Sequence, residues 1–147
     1  AARAQHIEQI VRPALQAEQV VLCDRFTDAT LAYQGDGRGL DRELITQLNQ
    51  LATGTYRPEL TLLFDLPVEI GLGRARQREA DLQDSSEGRF EREQLDFHQR
   101  IREGYLALAQ ADPERIKIVD ASCPPKAVSR QVTDIIVSFL HVANEAQ

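Results

Sequence analysis

The sequence predicts an α/β fold in which a parallel sheet is flanked on both faces by helices. Three short apolar runs, at 20–24, 61–65 and 116–120, have the length and the β-branched content of buried strands, and each ends in Asp. Segments with apolar residues at every third or fourth position separate these runs. Short buried strands that alternate with helices are typical of a parallel sheet.

The helices are predicted from apolar periodicity and from the residues that begin or end them. We expect Asp41 to cap a helix over 42–53 that Gly54 ends. Four apolar residues of this helix are expected to face inward: Leu44, Ile45, Leu48 and Leu51. The remaining helices are predicted over 3–16, 67–80, 90–110 and 125–143.

Two segments are predicted to lack regular structure. Residues 25–39 are rich in Gly, Thr and Asp, which favours a loop with at most a turn of helix near 27–33. Residues 81–89 are polar, which favours a flexible connection. The 147 residues are otherwise expected to form a single α/β domain.

Composition and charge exclude several classes of protein. The longest apolar runs are far shorter than the roughly 20 residues that a transmembrane helix needs. A net charge of −6 argues against nucleic acid or an anionic membrane as the main partner. Of the 17 basic residues 15 are Arg, whose planar fork suits phosphate, so small anionic ligands are favoured. The two cysteines are interpreted as reduced thiols of a cytoplasmic protein.

The segment that follows the first predicted strand carries the most informative chemistry. Ligands of open α/β sheets bind at the carboxyl ends of the strands, where Asp24 and Arg25 are expected. The Arg25 guanidinium suits a phosphate, Asp24 suits a water molecule or Mg²⁺, and the Tyr33 ring suits a sugar face. Thr30 and Gln34 add a hydroxyl and an amide. The alternative interpretation is an ordinary glycine-rich surface loop.

Arg3 is expected at the same edge of the sheet as Asp24. A helix of about 13 residues rises roughly 20 Å, and a strand of five residues returns about 17 Å. Arg3 precedes Ile7 by one turn on the inner face of its helix, so its side chain is predicted to point toward the site. The alternative is a solvated arginine at a helix end.

Several motifs resemble those of the thymidylate kinase family, and they occur in that family's order. Residues 24–39 contain DRF and then TLAYQGDGRG, which resemble the family's D-R-[YFH] and A-Y-Q-G-x-G-R-G motifs. Further resemblances lie at 1–15, at 57–69, at the arginines of 74–78, at 88–91 and at 96–105. One departure is Gly88, where the family usually has Asp.

The resemblance implies a P-loop kinase-like, three-layer α/β/α fold. It also implies transfer of the γ-phosphoryl group of ATP to dTMP, giving dTDP and ADP, with Mg²⁺ as cofactor. Such an enzyme would serve pyrimidine deoxynucleotide biosynthesis for DNA synthesis in the cytoplasm, as a homodimer. Phosphoryl transfer depends on positioning and charge stabilisation more than on covalent chemistry, so arginines and a metal ion suffice for it.

Five residues are implied to bind dTMP. By resemblance Arg25 binds the dTMP phosphate and also counts among the catalytic residues. Arg3 and Thr30 would face the thymine base. Tyr33 would lie against the deoxyribose, where a 2′-hydroxyl would collide, and Gln34 would support that pocket.

The resemblance also implies residues on the ATP side. Asp24 would orient Mg²⁺ through its bound water, and Arg74 would stack on adenine. Arg78 would act as the transition-state arginine, and Arg89 would assist it. These arginines belong to residues 74–92, which are expected to form a mobile lid; a salt-bridged helical hairpin is the alternative.

One motif of P-loop kinases has no match. The sequence holds neither Met nor G-x-x-x-x-G-K-[ST], the loop that cradles ATP phosphates. We therefore expect the chain to lack an N-terminal P-loop segment and to be inactive by itself. Two alternatives stay open: another deoxynucleoside or nucleotide kinase of the same fold, and a non-catalytic nucleotide-binding remnant.

Overall fold

The computed structural model describes residues 2–80 and 89–145, with side chains at 2–77 and 94–141. Most of the predicted polar connection at 81–89 therefore lies outside the described residues. The chain divides into two units, Ala1–Pro58 and Glu59–Gln147. Each unit is described by itself below.

The first unit begins with an uninterrupted helical stretch in three parts. Helix α1 (Ala2–His6) leads into a π-helical turn, π1 (Ile7–Val11), and then into α2 (Arg12–Gln16). Pro13 lies near the start of α2. In a regular α-helix a proline ring clashes with the carbonyl group four residues before it, and the wider π turn relieves that clash. The predicted helix over 3–16 is confirmed.

The predicted strand at 20–24 is wrong. Val20 and Leu22 are 85% and 93% exposed, and the segment has no regular structure. A strand requires a neighbour whose backbone groups pair with its own. Within the described residues the sheet has two strands, and neither of them comes from this segment. The apolar pattern alone therefore does not make a strand here.

The Gly- and Thr-rich segment is more helical than predicted. Helix α3 (Thr27–Thr30) continues directly into a second π-helical turn, π2 (Leu31–Gly37). Ala32 is fully buried in π2. Most of the expected loop is therefore a compact helical element that can hold side chains in fixed directions.

Helix α4 (Arg42–Thr53) begins and ends where the sequence predicts. The Asp41 carboxylate accepts hydrogen bonds from the backbone N–H groups of Glu43 and Leu44, at 2.8 and 3.3 Å. Gly54 ends the helix with a φ of 59°, a conformation that glycine adopts without a steric penalty.

The buried face of α4 differs from the predicted one. Ile45, Asn49 and Thr53 are buried, and they share one face because they are four positions apart. Three of the leucines expected to face inward are exposed instead: Leu44, Leu48 and Leu51. The helix thus turns a partly polar face toward the interior of the unit, and that face carries a hydrogen-bonding network described below.

The second unit contains a parallel two-stranded sheet. Strand β1 (Thr61–Asp65) pairs with β2 (Ile116–Asp120), in register from Thr61 opposite Ile116 to Asp65 opposite Asp120. Both strands were expected at these residues and are confirmed. Because the strands are parallel, the two terminal carboxylates lie at the same edge of the sheet.

Three helices accompany this sheet: α5 (Val68–Ala80), α6 (Arg89–Ala111) and α7 (Pro125–Glu145). Helix α6 packs against both strands and against α5, and α7 packs against β2. The buried residues are apolar: Val68, Ile101, Ala109, Ile116 and Val119. Long as α6 and α7 are, neither of them nor any other helix in the described ranges is apolar over enough length to cross a bilayer.

Candidate functional site

Arg3 lies at the centre of a hydrogen-bonding network in the first unit. Its Nη1 donates to Asn49 Oδ1 at 2.7 Å, and its Nη2 donates to Thr30 Oγ1 at 2.7 Å and to the Phe26 carbonyl oxygen at 3.3 Å. The guanidinium carbon lies 5.5 Å from the centroid of the Phe26 ring, a cation–π distance. Arg3 is half-buried, and the structure brings Arg3 and Thr30 together, while their predicted role in facing thymine stays a prediction.

Asn49 is a member of this network that the sequence did not reveal. Its side chain is buried, and its Nδ2 donates to the Thr27 carbonyl oxygen at 3.4 Å. One amide among three in a leucine-rich helix gives little signal, since Gln47 and Gln50 lie in the same helix. Only its spacing of four from Ile45 and Thr53 marks it as inward-facing, once the buried face of α4 is known.

Arg25 and Tyr33 form a second contact. The Arg25 guanidinium carbon lies 5.2 Å from the centroid of the Tyr33 ring, which is within cation–π range. Arg25 has a φ of 60°, in the left-handed region that non-glycine residues seldom adopt. Such strain persists only where the surroundings maintain it, and it is concentrated at functional positions.

Asp24 is exposed and lies outside any strand. The expectation that a strand carries Asp24 to the same sheet edge as Arg3 is therefore wrong, since that strand does not form. Arg3 reaches the neighbouring segment by another route, through the Phe26 carbonyl group. Gln34 is half-buried in π2, and its carbonyl oxygen accepts a hydrogen bond from the Leu40 N–H at 3.0 Å.

The donor set of this region suits Mg²⁺ held largely through water. Mg²⁺ keeps several water ligands and uses one or two carboxylates together with substrate phosphates. Asp24 supplies one accessible carboxylate. No group of three His, Cys, Asp or Glu side chains placed for direct metal binding occurs in the described residues.

Glycine packing fixes the end of π2 against α4. A Cβ atom on Gly35 would lie only 3.1 Å from Arg42 Cγ, so a side chain here would displace Arg42. Arg42 forms an ion pair with Asp36. Gly39 then reverses the chain with a φ of 72°.

The second unit contains a cavity beyond the carboxyl end of β2. Its volume is about 650 Å³. Its lining residues are Arg74, Ala121, Cys123, Pro125, Val128 and Ser129. Arg74 Nη1 donates to the Ala121 carbonyl oxygen at 2.9 Å, and Nη2 donates to that of Ser122 at 3.4 Å. Arg74 of α5 is thus held beside the loop that follows β2.

Asp120 organises that loop. Its carboxylate accepts hydrogen bonds from the Ser122 hydroxyl, from the Ser122 N–H at 2.9 Å and from Cys123 Sγ at 3.2 Å. The hydrogen bonds from Ser122, with a smaller contribution from Cys123, lower the pKa of Asp120. The hydrogen bond to Asp120 raises the pKa of the Cys123 thiol, which is therefore held in its neutral form.

Asp65, at the end of β1, forms a bidentate ion pair with Arg102 of α6. Arg102 Nε and Nη2 donate to its two carboxylate oxygens at 2.7 and 2.9 Å. The hydrogen bonds to Asp65 raise the pKa of Arg102. The three predicted strand-end carboxylates thus differ: Asp65 joins a helix to the sheet, Asp120 shapes a loop, and Asp24 is exposed.

The predicted roles of Arg78 and Arg89 concern side chains that lie outside the described residues. The same holds for Gly88 and for most of the predicted lid over 74–92. Arg74 lines the cavity described above, and its predicted role, stacking on adenine, stays a prediction.

Comparison with known proteins identifies the family. Residues 1–132 match the family model for thymidylate kinase. The chain is 58% identical over 140 residues to a protein named thymidylate kinase from Desulfovibrio desulfuricans, covering 94% of this chain and 64% of the relative. It is 51% identical over 138 residues to one from Geobacter sulfurreducens, covering 94% of this chain and 65% of the relative.

A solved structure agrees with this assignment. The crystal structure of thymidylate kinase from Ehrlichia chaffeensis superposes with a TM-score of 0.66 at 29% identity, covering 91% of this chain and 58% of that one. The predicted fold class, a P-loop kinase-like parallel sheet with flanking helices, is confirmed. The chain spans less than two thirds of the length of these relatives. It belongs to the thymidylate kinase family.

Proposed function

We propose that the full-length protein carrying this sequence transfers the γ-phosphoryl group of ATP to dTMP, giving dTDP and ADP. The observation that supports this most is the convergence of Arg3 on Thr30, within hydrogen-bond distance and 27 positions apart. Both residues belong to motifs that resemble the family's, and membership of the family is shown. The reaction would serve pyrimidine deoxynucleotide synthesis.

The first unit would bind dTMP. Arg25 would receive the phosphate, because a guanidinium fork matches two phosphate oxygens. Arg3 and Thr30 would face the thymine base with their remaining hydrogen-bonding groups. The Tyr33 ring would lie against the deoxyribose, and Gln34, half-buried nearby in sequence, would support it.

The second unit would bind part of ATP. The cavity beside Arg74 is lined by three aliphatic side chains, a thiol, a hydroxyl and a guanidinium, and its apolar part suits the flat face of adenine. Arg78 and Arg89 would add positive charge to the transferring phosphoryl group, as the family resemblance implies. Charge stabilisation of this kind is the main demand of phosphoryl transfer.

Asp24 would hold Mg²⁺ through bound water. When bound, the ion would neutralise phosphate charge and orient the phosphates of ATP. The exposed carboxylate leaves room for the water ligands that Mg²⁺ retains.

We also propose a homodimer in the cytoplasm. Leu44, Leu48 and Leu51 form an apolar face on α4 that stays exposed, which a second copy of the chain would cover. Both cysteines, Cys23 and Cys123, are free thiols in the structure, as is typical of proteins in a reducing compartment.

A coupled assay of ADP formation on the full-length protein tests the proposed reaction. We expect dTMP to be turned over with a higher kcat/KM than dUMP or dCMP. Arg25→Ala is expected to lower kcat/KM for dTMP at least about a hundredfold, because it removes a charged contact to the phosphate. Arg12→Ala is a matched control, since Arg12 is an exposed arginine that pairs with Glu8.

Three outcomes would contradict the proposal or one of its assignments. Preference for dUMP or dCMP over dTMP would favour another nucleotide kinase of the same fold. Near wild-type activity of Arg25→Ala would remove the phosphate assignment. Absence of turnover with every monophosphate, in a full-length protein that still unfolds cooperatively, would favour a non-catalytic nucleotide-binding protein.

A further inference from the structure

We infer that Asn49 is a positioning residue for nucleotide binding, which acts by fixing the guanidinium of Arg3. The inference rests on the proposed function, because it takes Arg3 as a contact of the nucleotide base. It assigns a role to a residue in the middle of α4, outside the motifs that carry the family resemblance.

The first step is the contact itself. Asn49 Oδ1 accepts a hydrogen bond from Arg3 Nη1 at 2.7 Å. Asn49 is only 7% exposed, so water has little access to compete for this bond. In such surroundings a hydrogen bond to a charged group is stronger than one between neutral groups.

The second step is the orientation of the amide. Asn49 Nδ2 donates to the Thr27 carbonyl oxygen at 3.4 Å while Oδ1 accepts from Arg3. The opposite orientation would set the NH₂ group against the guanidinium donors and the oxygen against a carbonyl oxygen. Asn49 therefore presents a fixed acceptor, and it ties Arg3 of α1 to the first residue of α3.

The third step concerns the N–H groups of Arg3 that make no hydrogen bond to the described residues. A guanidinium carries five N–H groups. The hydrogen bonds to Asn49, Thr30 and the Phe26 carbonyl oxygen use three of them among the described residues. Two N–H groups, one at Nη1 and the one at Nε, are left for a ligand. Because the guanidinium is planar and rigid, fixing three donors also fixes the direction of the other two.

The fourth step separates positioning from a general contribution to stability. Phe26 and Thr30 accept hydrogen bonds from Nη2, and Asn49 accepts one from Nη1. The hydrogen bond to Asn49 therefore prevents the guanidinium from rotating about Nη2. Loss of Asn49 would leave Arg3 present and charged but able to turn. Nucleotide affinity would then fall through Arg3, and it would not fall further once Arg3 itself is removed.

The test is a double-mutant cycle on the full-length protein, with the Kd of dTMP measured by calorimetry and the KM of ATP measured in parallel. We expect Asn49→Leu to raise the Kd of dTMP about tenfold, while the KM of ATP changes by less than about twofold. Asn49→Asp keeps an acceptor for Arg3 and is expected to stay within about threefold of wild type. Gln47→Leu is the matched control, a polar-to-leucine change at an exposed position of the same helix.

The cycle is completed by Arg3→Ala. In that background Asn49→Leu is expected to change the Kd of dTMP by less than about twofold, because the group that it positions is gone. If Asn49→Leu does not fold, Asn49→Ser replaces it in the cycle, since a short polar side chain removes the contact without placing an apolar group there.

Three results would overturn the inference. A Kd within twofold of wild type for folded Asn49→Leu would do so, as would an equal loss of affinity with and without Arg3. A parallel rise in the KM of ATP would indicate a general structural defect. If the wild-type protein binds ATP but not dTMP, the proposed function fails, and the inference fails with it. If the wild-type protein binds dTMP and the Asn49 variant binds it equally well, only the inference fails.

Discussion

The two units of this chain bury different kinds of side chain against their helices. In the first unit the inward face of α4 presents Asn49 and Thr53 beside Ile45, and Asn49 binds an arginine. In the second unit α6 buries Ile101 and Ala109 in an apolar core. A buried polar network functions only when each partner is satisfied, whereas an apolar core tolerates changes that preserve volume.

This difference indicates where each unit is most sensitive. Substitutions inside the first unit are expected to act mainly on nucleotide binding, because its interior contains Arg3, two of whose N–H groups make no hydrogen bond to the residues that the structure describes. Substitutions inside the second unit are expected to act mainly on stability. The ion pair between Asp65 and Arg102 tests this contrast between the units most directly. It is a polar contact of the second unit, yet because it joins α6 to the sheet we expect its loss to lower stability.

Among the substitutions that test this contrast, the largest effect is expected from Arg102→Leu. It leaves the Asp65 carboxylate, which is 20% exposed, without its two hydrogen bonds, and should lower the free energy of unfolding by about 2 kcal/mol. Urea unfolding of the full-length protein measures this. Arg130→Leu, at an exposed position of α7, is the control. An equal effect of the two substitutions would show that the pair contributes little to stability.

A smaller effect is expected at Tyr33. Tyr33→Leu removes the ring that faces Arg25, and the KM for dTMP should rise about fivefold, the equivalent of about 1 kcal/mol of cation–π energy. Tyr33→Phe keeps the ring and should stay within about twofold. Steady-state kinetics with dTMP measure both. Equal loss in the two variants would assign the role of Tyr33 to its hydroxyl group instead of its ring face.

The smallest effect is expected at Cys123. Its raised pKa leaves less thiolate at pH 8, so alkylation should be slower than at an unperturbed thiol, since the thiolate is the nucleophile. Asp120→Asn removes the negative charge, lowers the thiol pKa and should accelerate alkylation about threefold. Peptide mass spectrometry after timed iodoacetamide treatment measures the rate, with exposed Cys23 as the internal reference. An unchanged rate would show that Asp120 does not hold the thiol proton.

Much of the second unit was predictable from the sequence. Strands β1 and β2 and helices α5 to α7 lie close to their predicted bounds, because apolar periodicity and end signals agree in these segments. The capping of α4 by Asp41 and Gly54 was predictable for the same reason. These features depend on residues that are close together in the sequence and on the burial of apolar side chains.

The first unit was predictable in its helices at 3–16 and 42–53 but not in its packing. The run at 20–24 has a strand-like pattern, yet pairing depends on a neighbour and not on the run itself. The inward face of α4 was misassigned because Leu44 and Leu48 outweigh Asn49 on an apolar scale, while the hydrogen bonds to Arg3 determine which face turns inward. The contact between Arg25 and Tyr33 depends on a left-handed backbone that no local sequence pattern predicts.

The exposed segment at 20–23 has a practical consequence for handling the protein. Val20 and Leu22 lie almost fully in solvent in a segment without regular structure, and exposed apolar side chains favour association with other chains. Concentrated preparations of this chain should therefore precipitate more readily than its acidic net charge of −6 suggests. This exposed apolar segment should be considered when the purification buffer, the storage concentration and the ends of the expressed chain are chosen.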